Sequence, residues 1–494
     1  MNSKQCLYSW VGLCALLLHL TSCSANGSDP TVSSSAQTQA LPQTQAPGPR
    51  SVILFVGDGM GISTVTAARI FAGQQLGLAG EEHELAFERF PHVALIKTYT
   101  TDFQVPDSAG TMTALVTGQK TRSGVLSVDA SVARGDCKAA NAHRLPTLLE
   151  QAETNGLRTG VISTTRITHA TPAATFAHSA DREWEDDSAL AASAVAAGCV
   201  DIARQMLSLP QGDGVDLMLG GGRANFMPKG AVDPEYDKPL GRRADQRDLI
   251  EQWRGAQPLR RYVWNRADFR ASLSELQPGK SQLLGLFEPS HMQWEADRDA
   301  EAEPSLAEMT GAAIDFLAAD NTKGYFLMVE AGRIDHGHHM GNAYRALMDT
   351  VALDQAVATA VAKVDPAQTL MIVTADHSHT LTISGYPARG NPILGKAALA
   401  DGRTMPDGNG NPYPTLGYAN GPGALTVAED RSKVDTADPD YRQPAAIPMT
   451  IETHAGEDVA AYAIGPNAAA VRGVMEQNHL YDVMFEALFG ANRL

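Results

Sequence analysis

The sequence has little cysteine and little positive charge. Five of its 494 residues are cysteine, and 39 Lys and Arg are set against 56 Asp and Glu, which gives a formal net charge of −17. No basic stripe is present that could neutralise the phosphates of a nucleic acid, so we expect no nucleic-acid partner. An anionic small molecule would have to be held by local cations.

The apolar run at residues 7–20 is short for a membrane-spanning helix. Residues 1–23 instead have the pattern of an export signal, and the end of that segment, Leu20-Thr21-Ser22-Cys23, resembles the cleavage box of bacterial lipoproteins, in which Cys23 would be lipidated. The alternative is an ordinary signal peptide that is cut near residues 24–26. We expect export to the periplasm or cell envelope, with membrane attachment only through the lipid anchor.

The folded part of the chain is expected to begin near Arg50. Residues 24–49 are rich in Ser, Thr, Gln, Ala and Pro, which predicts a flexible tether. The chain as a whole is 44% hydrophobic and 19% charged, which is ordinary for a soluble globular enzyme. We therefore expect residues 50–494 to form one large catalytic domain.

Two cysteines remain in that domain. Cys6 and Cys14 would leave with the signal and Cys23 would carry the lipid, so Cys137 and Cys199 are left. In an exported protein, two cysteines suggest one disulfide. Two free, buried thiols are the alternative.

The central feature of the sequence is an apolar run that ends abruptly in potential metal ligands. Residues 325–339 read YFLMVEAGRIDHGHH. The first five of these residues predict a buried strand of a parallel sheet, which Glu330 ends, and a helical pattern follows from about Ala343. Three other apolar runs end in a similar way: residues 52–56 before Asp58, residues 160–163 before a segment that includes His169, and residues 370–373 before Asp376 and His377.

We expect these four strands to share one sheet edge, because open α/β sheets bind ligands at the carboxyl ends of their strands. Carboxylates and histidines gathered there would leave uncompensated charge in a crevice unless cations lie among them. The four runs together therefore predict a polynuclear metal site. Taken one at a time, each could be a solvated loop or an ordinary turn.

A helix start and two arginines are further candidates. Residues 105–111, VPDSAGT, precede a small-residue helix pattern, which places Ser108 where unpaired N–H groups favour an anion or an alkoxide. From this segment alone, a simple N-cap role for Asp107 or Ser108 is favoured. Arg166 and Arg182 follow, and a guanidinium fork suits two oxygens of a phosphate. The residues themselves do not choose between these two arginines.

Five segments of the chain together resemble the alkaline phosphatases: PDSAGT, HATPAATFAHSADREW, VEAGRIDHGHH, TADHSH and ETHAGEDVA. These segments are long and specific, and the resemblance runs from about Arg50 to the C-terminus. It implies an α/β fold, a three-layer α/β/α sandwich with a large, mostly parallel central sheet. It also implies metal-dependent hydrolysis of many small phosphate monoesters at alkaline pH, through a phosphoserine intermediate.

Carried over residue by residue, the resemblance implies two Zn²⁺ and one Mg²⁺ per subunit. The first Zn²⁺ would be held by Asp335, His339 and His454, the second by Asp58, Asp376 and His377, and the Mg²⁺ by Asp58, Thr171 and Glu330. Imidazole and carboxylate suit zinc, and oxygen ligands suit magnesium. Ser108 matches the nucleophile and Arg182 matches the arginine that grips the phosphate. The residues expected beside these groups are Asp107, His169, His336 and His379.

Charge counting supports this site. Four carboxylates, three divalent cations and one arginine leave three net positive charges, which a phosphate monoester dianion and a serine alkoxide would balance. An acidic protein could in this way bind an anionic substrate.

The chain departs from the enterobacterial enzyme of the family, which has Asp and Lys where this chain has His169 and His336. At these positions it resembles the animal enzymes, whose pattern also matches Cys137 and Cys199 to a disulfide pair. The same pattern implies a structural Ca²⁺, although the last of its ligands is Asp in the animal enzymes. The ligands of that ion would be Glu235, Phe287 through its carbonyl oxygen, Glu288 and Glu303.

The Gly-, Pro- and Asn-rich residues 385–444 predict a surface excursion, which resembles the crown near the dimer interface of the family and implies a homodimer. Two alternative functions remain. A sulfatase or phosphodiesterase of the same superfamily would need a nucleophile segment different from Asp107-Ser108-Ala109. A non-catalytic surface lipoprotein would be expected to have lost metal ligands, whereas here every expected position is filled.

Overall fold

The computed structural model describes residues 50–424 and 431–490, all within one compact unit. Three predicted features lie outside the described residues: the signal at residues 1–23, the tether at residues 24–49 and the lipidation site Cys23. Residues 425–430 of the predicted surface excursion also lie outside them. In the part of the chain that is described, no helix combines the length and the apolar character needed to cross a membrane.

The fold is built on β-strands, most of which belong to one large sheet. In chain order the strands are β1 (Ser51–Gly57), β2 (His92–Lys97), β3 (Arg158–Arg166), β4 (Leu217–Gly221), β5 (Arg260–Val263), β6 (Gln282–Leu286), β7 (Tyr325–Ala331), β8 (Thr369–Ala375), β9 (Ser378–His379), β10 (Leu381–Ile383), β11 (Leu416–Gly421), β12 (Ala445–Pro448), β13 (His454–Ala455), β14 (Val459–Ile464) and β15 (Gly473–Glu476). A ten-stranded sheet has the order β15-β2-β14-β8-β1-β7-β3-β4-β6-β5. Neighbouring strands are parallel throughout, except that β14 runs antiparallel to β2 and β8.

Helices cover this sheet in two groups. The α-helices are α1 (Ile62–Gln75), α2 (Ser108–Thr117), α3 (Cys137–Ala142), α4 (Leu148–Thr154), α5 (Ala170–Ala173), α6 (Ala192–Ala196), α7 (Ile202–Leu207), α8 (Leu249–Ala256), α9 (Arg266–Leu273), α10 (Leu306–Ala318), α11 (Arg333–His339), α12 (Ala343–Lys363) and α13 (His479–Phe489). Helices α2, α4 and α13 pack together, as do α1, α10 and α12, and the central strand β1 contacts both α12 and α13. The predicted α/β sandwich with a large, mostly parallel sheet is confirmed.

The four predicted strand ends meet at one edge of the sheet. Strands β8, β1, β7 and β3 are consecutive neighbours, and Gly57 at the end of β1 pairs in register with Ala331 and Ala375. The prediction that Glu330 ends its strand is wrong, because β7 continues to Ala331. A carboxylate can stand inside this strand since the hydroxyl of Ser163 on β3 donates to it.

Two small sheets complete the edge. Strands β10, β11 and β12 form a three-stranded sheet. Strand β10 precedes residues 385–444, β11 lies within them and β12 follows them. The pair β9 and β13 is antiparallel, with His379 opposite His454. This short ladder brings the last predicted metal ligand back to the edge of the large sheet.

The predicted disulfide is confirmed. Cys137 at the start of α3 is bonded to Cys199, with 5.7 Å between the two Cα atoms. Both residues belong to a small apolar cluster that lies apart from the main core and includes Val125, Val132 and Trp184. The disulfide therefore closes a loop whose own core is small.

We predict that loss of this disulfide destabilises the protein by about 4 kcal/mol, because 62 residues separate the two cysteines and the cross-link restricts the unfolded chain. Urea unfolding with and without reductant measures the effect. The variant Cys137→Ser/Cys199→Ser should show the lower stability under both conditions. Equal stability of the oxidised wild type and this variant would contradict the prediction.

Candidate metal centre

The turn after β1 joins several of the predicted ligands. Asp58 follows the last residue of β1 and is fully buried. The next residue, Gly59, has φ +68°, and an added Cβ would lie 2.3 Å from a ring carbon of His379. Its backbone N–H donates to Asp376 Oδ1 at 3.0 Å. Only glycine fits this position, which holds the turn against two neighbouring segments.

The three residues predicted for the first zinc converge on one point. Asp335 Oδ1 lies 3.3 Å from Nε2 of both His339 and His454, and these two nitrogens are 3.2 Å apart. Tetrahedral zinc with bonds near 2.1 Å needs ligand atoms about 3.4 Å apart. The Nδ1–H groups of the two rings donate to the backbone carbonyls of Glu452 and Pro106, at 2.6 and 2.8 Å. Both Nε2 lone pairs are therefore free to bind a metal.

The residues predicted for the second zinc surround the candidate nucleophile. His377 Nε2 lies 3.4 Å from Asp58 Oδ1 and 3.4 Å from Asp376 Oδ2. The Ser108 hydroxyl lies 3.3 Å from the same nitrogen. Two carboxylates, an imidazole and a serine oxygen thus share one small volume, as a four-coordinate zinc site requires.

A third group of ligands lies on the other side of Asp58. Potential ligand atoms of Asp58, His169 and Glu330 lie within 4.8 Å of one another, and the Thr171 hydroxyl is 3.5 Å from Asp58 Oδ2. Asp58 Oδ1, Glu330 Oε1 and His169 Nδ1 are buried without a hydrogen-bond partner. The two carboxylate oxygens are acceptors, and orphaned acceptors of this kind fit a bound cation. His169 Nδ1 carries the ring hydrogen, because its Nε2 accepts from Arg182.

The pKa values of the buried carboxylates also indicate that cations are needed at this site. Burial, reinforced by Asp376 and Asp335, raises the pKa of Asp58 well above its usual value. Burial likewise raises the pKa of Glu330 to about 7 and that of Asp376 above its usual range. Asp335 differs, because His339 and the neighbouring imidazoles outweigh its burial and hold its pKa well below the usual value. Divalent cations would stabilise all four as carboxylates.

Asp107, and not Ser108, is the N-cap of α2. Its carboxylate accepts from the Gly110 N–H at 3.1 Å and from an Arg182 terminal nitrogen at 3.0 Å. Ser108 is the first helical residue, only 2% exposed, and its hydroxyl is left to face His377. The N-cap alternative thus holds for Asp107, and it frees the serine.

The structure also separates the two candidate arginines. Arg182 is fixed by Asp107 beside Ser108, and its other terminal nitrogen lies 3.1 Å from His169 Nε2. Arg166 is held by Glu185, with nitrogen to oxygen distances of 2.8 and 2.6 Å. Arg182 is therefore the guanidinium placed next to the candidate nucleophile.

A buried ion pair, which the sequence reasoning missed in part, lies against the three residues predicted for the first zinc. His379 Nε2 lies 2.7 Å from Asp335 Oδ1, and His379 Nδ1 lies 2.5 Å from Glu452 Oε2. Burial acts to lower the pKa of His379, but the charges of Glu452 and Asp335 outweigh it and raise that pKa to about 10. His379 was expected in this area and Glu452 was not. The only signal for Glu452 was its place two residues before His454.

The remaining histidines of residues 325–339 have different surroundings. His336 Nδ1 accepts from an Arg333 terminal nitrogen at 3.0 Å and lies beside the ligands without joining them. His338 is fully buried between the Thr64 hydroxyl at 3.0 Å and the Tyr418 hydroxyl at 2.9 Å. It is a satisfied core histidine.

The residues predicted for calcium lie near one another but are more widely spaced. Among the described residues, Glu235, Glu288 and Glu303 do not form a group of ligand atoms as close as those of the metal centre. Gln293 links two of them, donating to Glu303 from its backbone at 3.3 Å and to Glu288 from its side chain at 3.0 Å. Burial and these acidic neighbours raise the pKa of Glu303 to about 8, and its Oε1 has no hydrogen-bond partner.

We predict that Glu330 destabilises the metal-free protein as the pH rises. Its folded pKa of about 7 exceeds the usual 4.5, so the folded state binds the extra proton between these values and loses stability as pH increases through them. Relative to wild type, Glu330→Gln should gain about 3 kcal/mol between pH 4.5 and 8. Urea unfolding in chelator measures this difference.

The matched control is Glu275→Gln, a substitution at an exposed residue. Its stability relative to wild type should not change with pH. With metals bound, Glu330→Gln should be less stable than wild type. A difference between Glu330→Gln and wild type that does not change with pH in chelator would contradict the prediction.

Known proteins resemble this chain over most of its length. The family model described as alkaline phosphatase matches residues 49–489. The tissue-nonspecific alkaline phosphatase of Gallus gallus is 45% identical over 90% of this chain and 85% of its own length, and that of Homo sapiens is 43% identical over 90% and 84%. The alkaline phosphatase of Gadus morhua is 42% identical over 94% of this chain and 96% of its own.

Solved structures show the same fold. The alkaline phosphatase of Thermus thermophilus aligns with a TM-score of 0.63 at 25% identity, over 94% of this chain and 97% of its own. That of the Antarctic bacterium TAB5 aligns with a TM-score of 0.61 at 22% identity, over 90% and 99%. The metal-ligand clusters, the fold and the family match agree, and this chain belongs to the alkaline phosphatase family of phosphoric monoester hydrolases.

Proposed function

We propose that this protein hydrolyses a broad range of small phosphate monoesters at alkaline pH, through a phosphoserine at Ser108. The observation that carries the proposal is the position of the Ser108 hydroxyl, 3.3 Å from His377 Nε2 inside a group of divalent-metal ligands. Asp107, the neighbouring N-cap, fixes Arg182 at the same point. A nucleophile, an anion-binding guanidinium and metal ligands together form a phosphoryl-transfer site.

Two Zn²⁺ and one Mg²⁺ per subunit are the metals that these residues fit. One zinc would be held by Asp335, His339 and His454, the other by Asp58, Asp376 and His377, and the magnesium by Asp58, Thr171 and Glu330. When bound, such ions supply Lewis-acid stabilisation of the negative charge on the reacting oxygens.

The side chains divide the reaction between them. Arg182 presents a planar fork to two non-bridging oxygens of the phosphate, and Asp107 keeps that fork in place. Ser108 Oγ loses its proton and bonds to phosphorus while the ester P–O bond breaks, and the departing alcohol oxygen takes up a proton. Water then attacks phosphorus from the opposite side, which releases phosphate and restores the hydroxyl. Since these residues contact only the phosphoryl group, the range of alcohols should be broad.

We also propose a structural Ca²⁺ at Glu235, Glu288, Glu303 and the carbonyl of Phe287. The unpartnered oxygen of Glu303 and its raised pKa support a cation beside it. Elemental analysis of the purified protein should find calcium in addition to zinc and magnesium. A protein free of calcium would remove the proposal.

Export, a lipid anchor and a homodimer complete the proposed function. The signal-like segment supports the first two, and palmitate labelling should depend on Cys23. The excursion at residues 385–444, which resembles the crown of the family, supports the dimer. The mass in solution should therefore be twice that of one mature chain, which is the 52.5 kDa of the full chain less its cleaved signal.

We predict that Ser108→Ala abolishes the covalent intermediate. Acid quenching after incubation with radioactive phosphate should leave label on wild type and on Ser274→Ala, an exposed serine outside the site, and none on Ser108→Ala. The rate of hydrolysis by Ser108→Ala should fall by about 10³-fold or more. Label retained by Ser108→Ala would show that another residue is the nucleophile.

A further inference from the structure

Strand β3 is irregular where it runs beside the third group of ligands. Its register with β4 shifts between Ile162 and Arg166, so residues 163–165 form a bulge. Bulges re-aim side chains and are common beside active sites. On its other side, β3 keeps its register with β7 up to the pair of Ser163 and Glu330. The bulge therefore lies against a residue that is predicted to bind magnesium.

The hydroxyl of Ser163 closes this bulge. The backbone N–H of Thr165 donates to Ser163 Oγ at 2.7 Å, which is a local turn in which a serine side chain takes the place of a backbone acceptor. The hydroxyl oxygen of Thr165 also lies 2.7 Å from Ser163 Oγ. Ser163, Thr165 and Glu330 are fully buried, so solvent does not compete for these bonds.

The atoms of this group fix the direction of each hydrogen bond. A metal-binding Glu330 is ionised and only accepts, so its short contact with Ser163 uses the single hydrogen of the serine hydroxyl. The two lone pairs of Ser163 Oγ are then left for the N–H and the O–H of Thr165, whose nearest acceptor is that oxygen. Ser163 is thereby fully satisfied, and each bond in such a chain strengthens the next.

The two oxygens of the Glu330 carboxylate consequently differ. Oε2 accepts from Ser163 and lies 3.2 Å from the hydroxyl oxygen of Thr165. Oε1 is buried without a hydrogen-bond partner, as is Oδ1 of Asp58, and the two residues belong to one group of potential ligand atoms that lie within 4.8 Å of one another. Oε1 is therefore the oxygen that is available to a metal.

Gly332 keeps the space beside this free oxygen open. A Cβ at that position would lie 2.7 Å from Glu330 Oε1 and 2.2 Å from Thr165 Cγ2. Any larger residue would have to displace either the free oxygen or the bulge. The chain can therefore turn from β7 into α11 without disturbing the carboxylate only because this residue is glycine.

We propose that Ser163 makes the third metal site selective for Mg²⁺ over Ca²⁺, because it holds Oε2 and leaves Glu330 to bind a cation through Oε1 alone. The inference rests on the proposed function, whose magnesium site it concerns, and it makes Ser163 a positioning residue. Mg²⁺ requires a compact octahedron of ligands, whereas Ca²⁺ takes more oxygens and often both of one carboxylate. A carboxylate that is restricted to one oxygen disfavours the larger ion.

The test measures binding and not activity. The full protein, with its zinc sites filled, is titrated by calorimetry with Mg²⁺ and separately with Ca²⁺, and only the binding that Glu330→Gln removes is counted. Ser163→Ala frees Oε2, so we expect Mg²⁺ to bind about tenfold more weakly. Ca²⁺ should lose much less affinity, because it can use both oxygens. The dissociation constant for Ca²⁺ divided by that for Mg²⁺ should therefore fall severalfold.

Two further variants accompany this measurement. Ser272→Ala is the matched control, since Ser272 is buried and its hydroxyl donates to the backbone carbonyl of Phe269 within α9. This control should leave the ratio of dissociation constants unchanged. Thr165→Val removes a hydroxyl but keeps the N–H that closes the bulge, and it should lower the ratio by a smaller factor than Ser163→Ala.

An equal loss of affinity for both ions in Ser163→Ala would indicate a purely structural role and would overturn the proposal, as would an unchanged ratio. If Ser163→Ala fails to fold, the ratio for Thr165→Val decides in the same way. A wild type without binding that depends on Glu330 would also overturn it. Hydrolysis of a phosphate monoester by the same samples tests the proposed function separately, because the binding data decide about Ser163 whether or not the protein is active.

Discussion

Four carboxylates meet at the carboxyl ends of neighbouring parallel strands, and their mutual repulsion constrains the rest of this structure. Asp58 follows β1, Asp376 follows β8, Glu330 stands in β7 and Asp335 lies just beyond it. All four are buried, with 4% exposure at most. Such a group is stable only with cations among its members or with protons on some of them. The fold supplies imidazoles, a hydroxyl and a guanidinium around the same point, which is what a phosphoryl-transfer centre needs.

Groups outside the ligand set hold this arrangement in place. Backbone carbonyls orient the rings of His339 and His454, and the buried pair of His379 and Glu452 supports Asp335 from behind. The N-cap Asp107 orients Arg182 and leaves the Ser108 hydroxyl free. Because these partners are rigid backbone or buried side chains, the site is largely formed before any ligand arrives.

The strands and their common edge could be predicted from sequence, because each is a continuous apolar run followed at once by ionisable residues. Other features depend on residues that are distant in the chain. The sequence alone could not show which of Arg166 and Arg182 lies beside Ser108. Glu185 holds Arg166 away from the serine, and Asp107 fixes Arg182 beside it. Glu452 was missed for a similar reason: its segment reaches the sheet edge through contacts with distant residues, which include the pairing of β9 with β13 and a backbone hydrogen bond from Glu452 to His339.

The most direct test of the central claim is hydrolysis of p-nitrophenyl phosphate at alkaline pH, before and after chelation and with Zn²⁺ and Mg²⁺ restored. If buried carboxylates and histidines hold catalytic cations, chelation should abolish the activity and the two metals together should restore it. Activity that survives complete removal of metal, or a fully metallated protein with no activity, would contradict the account.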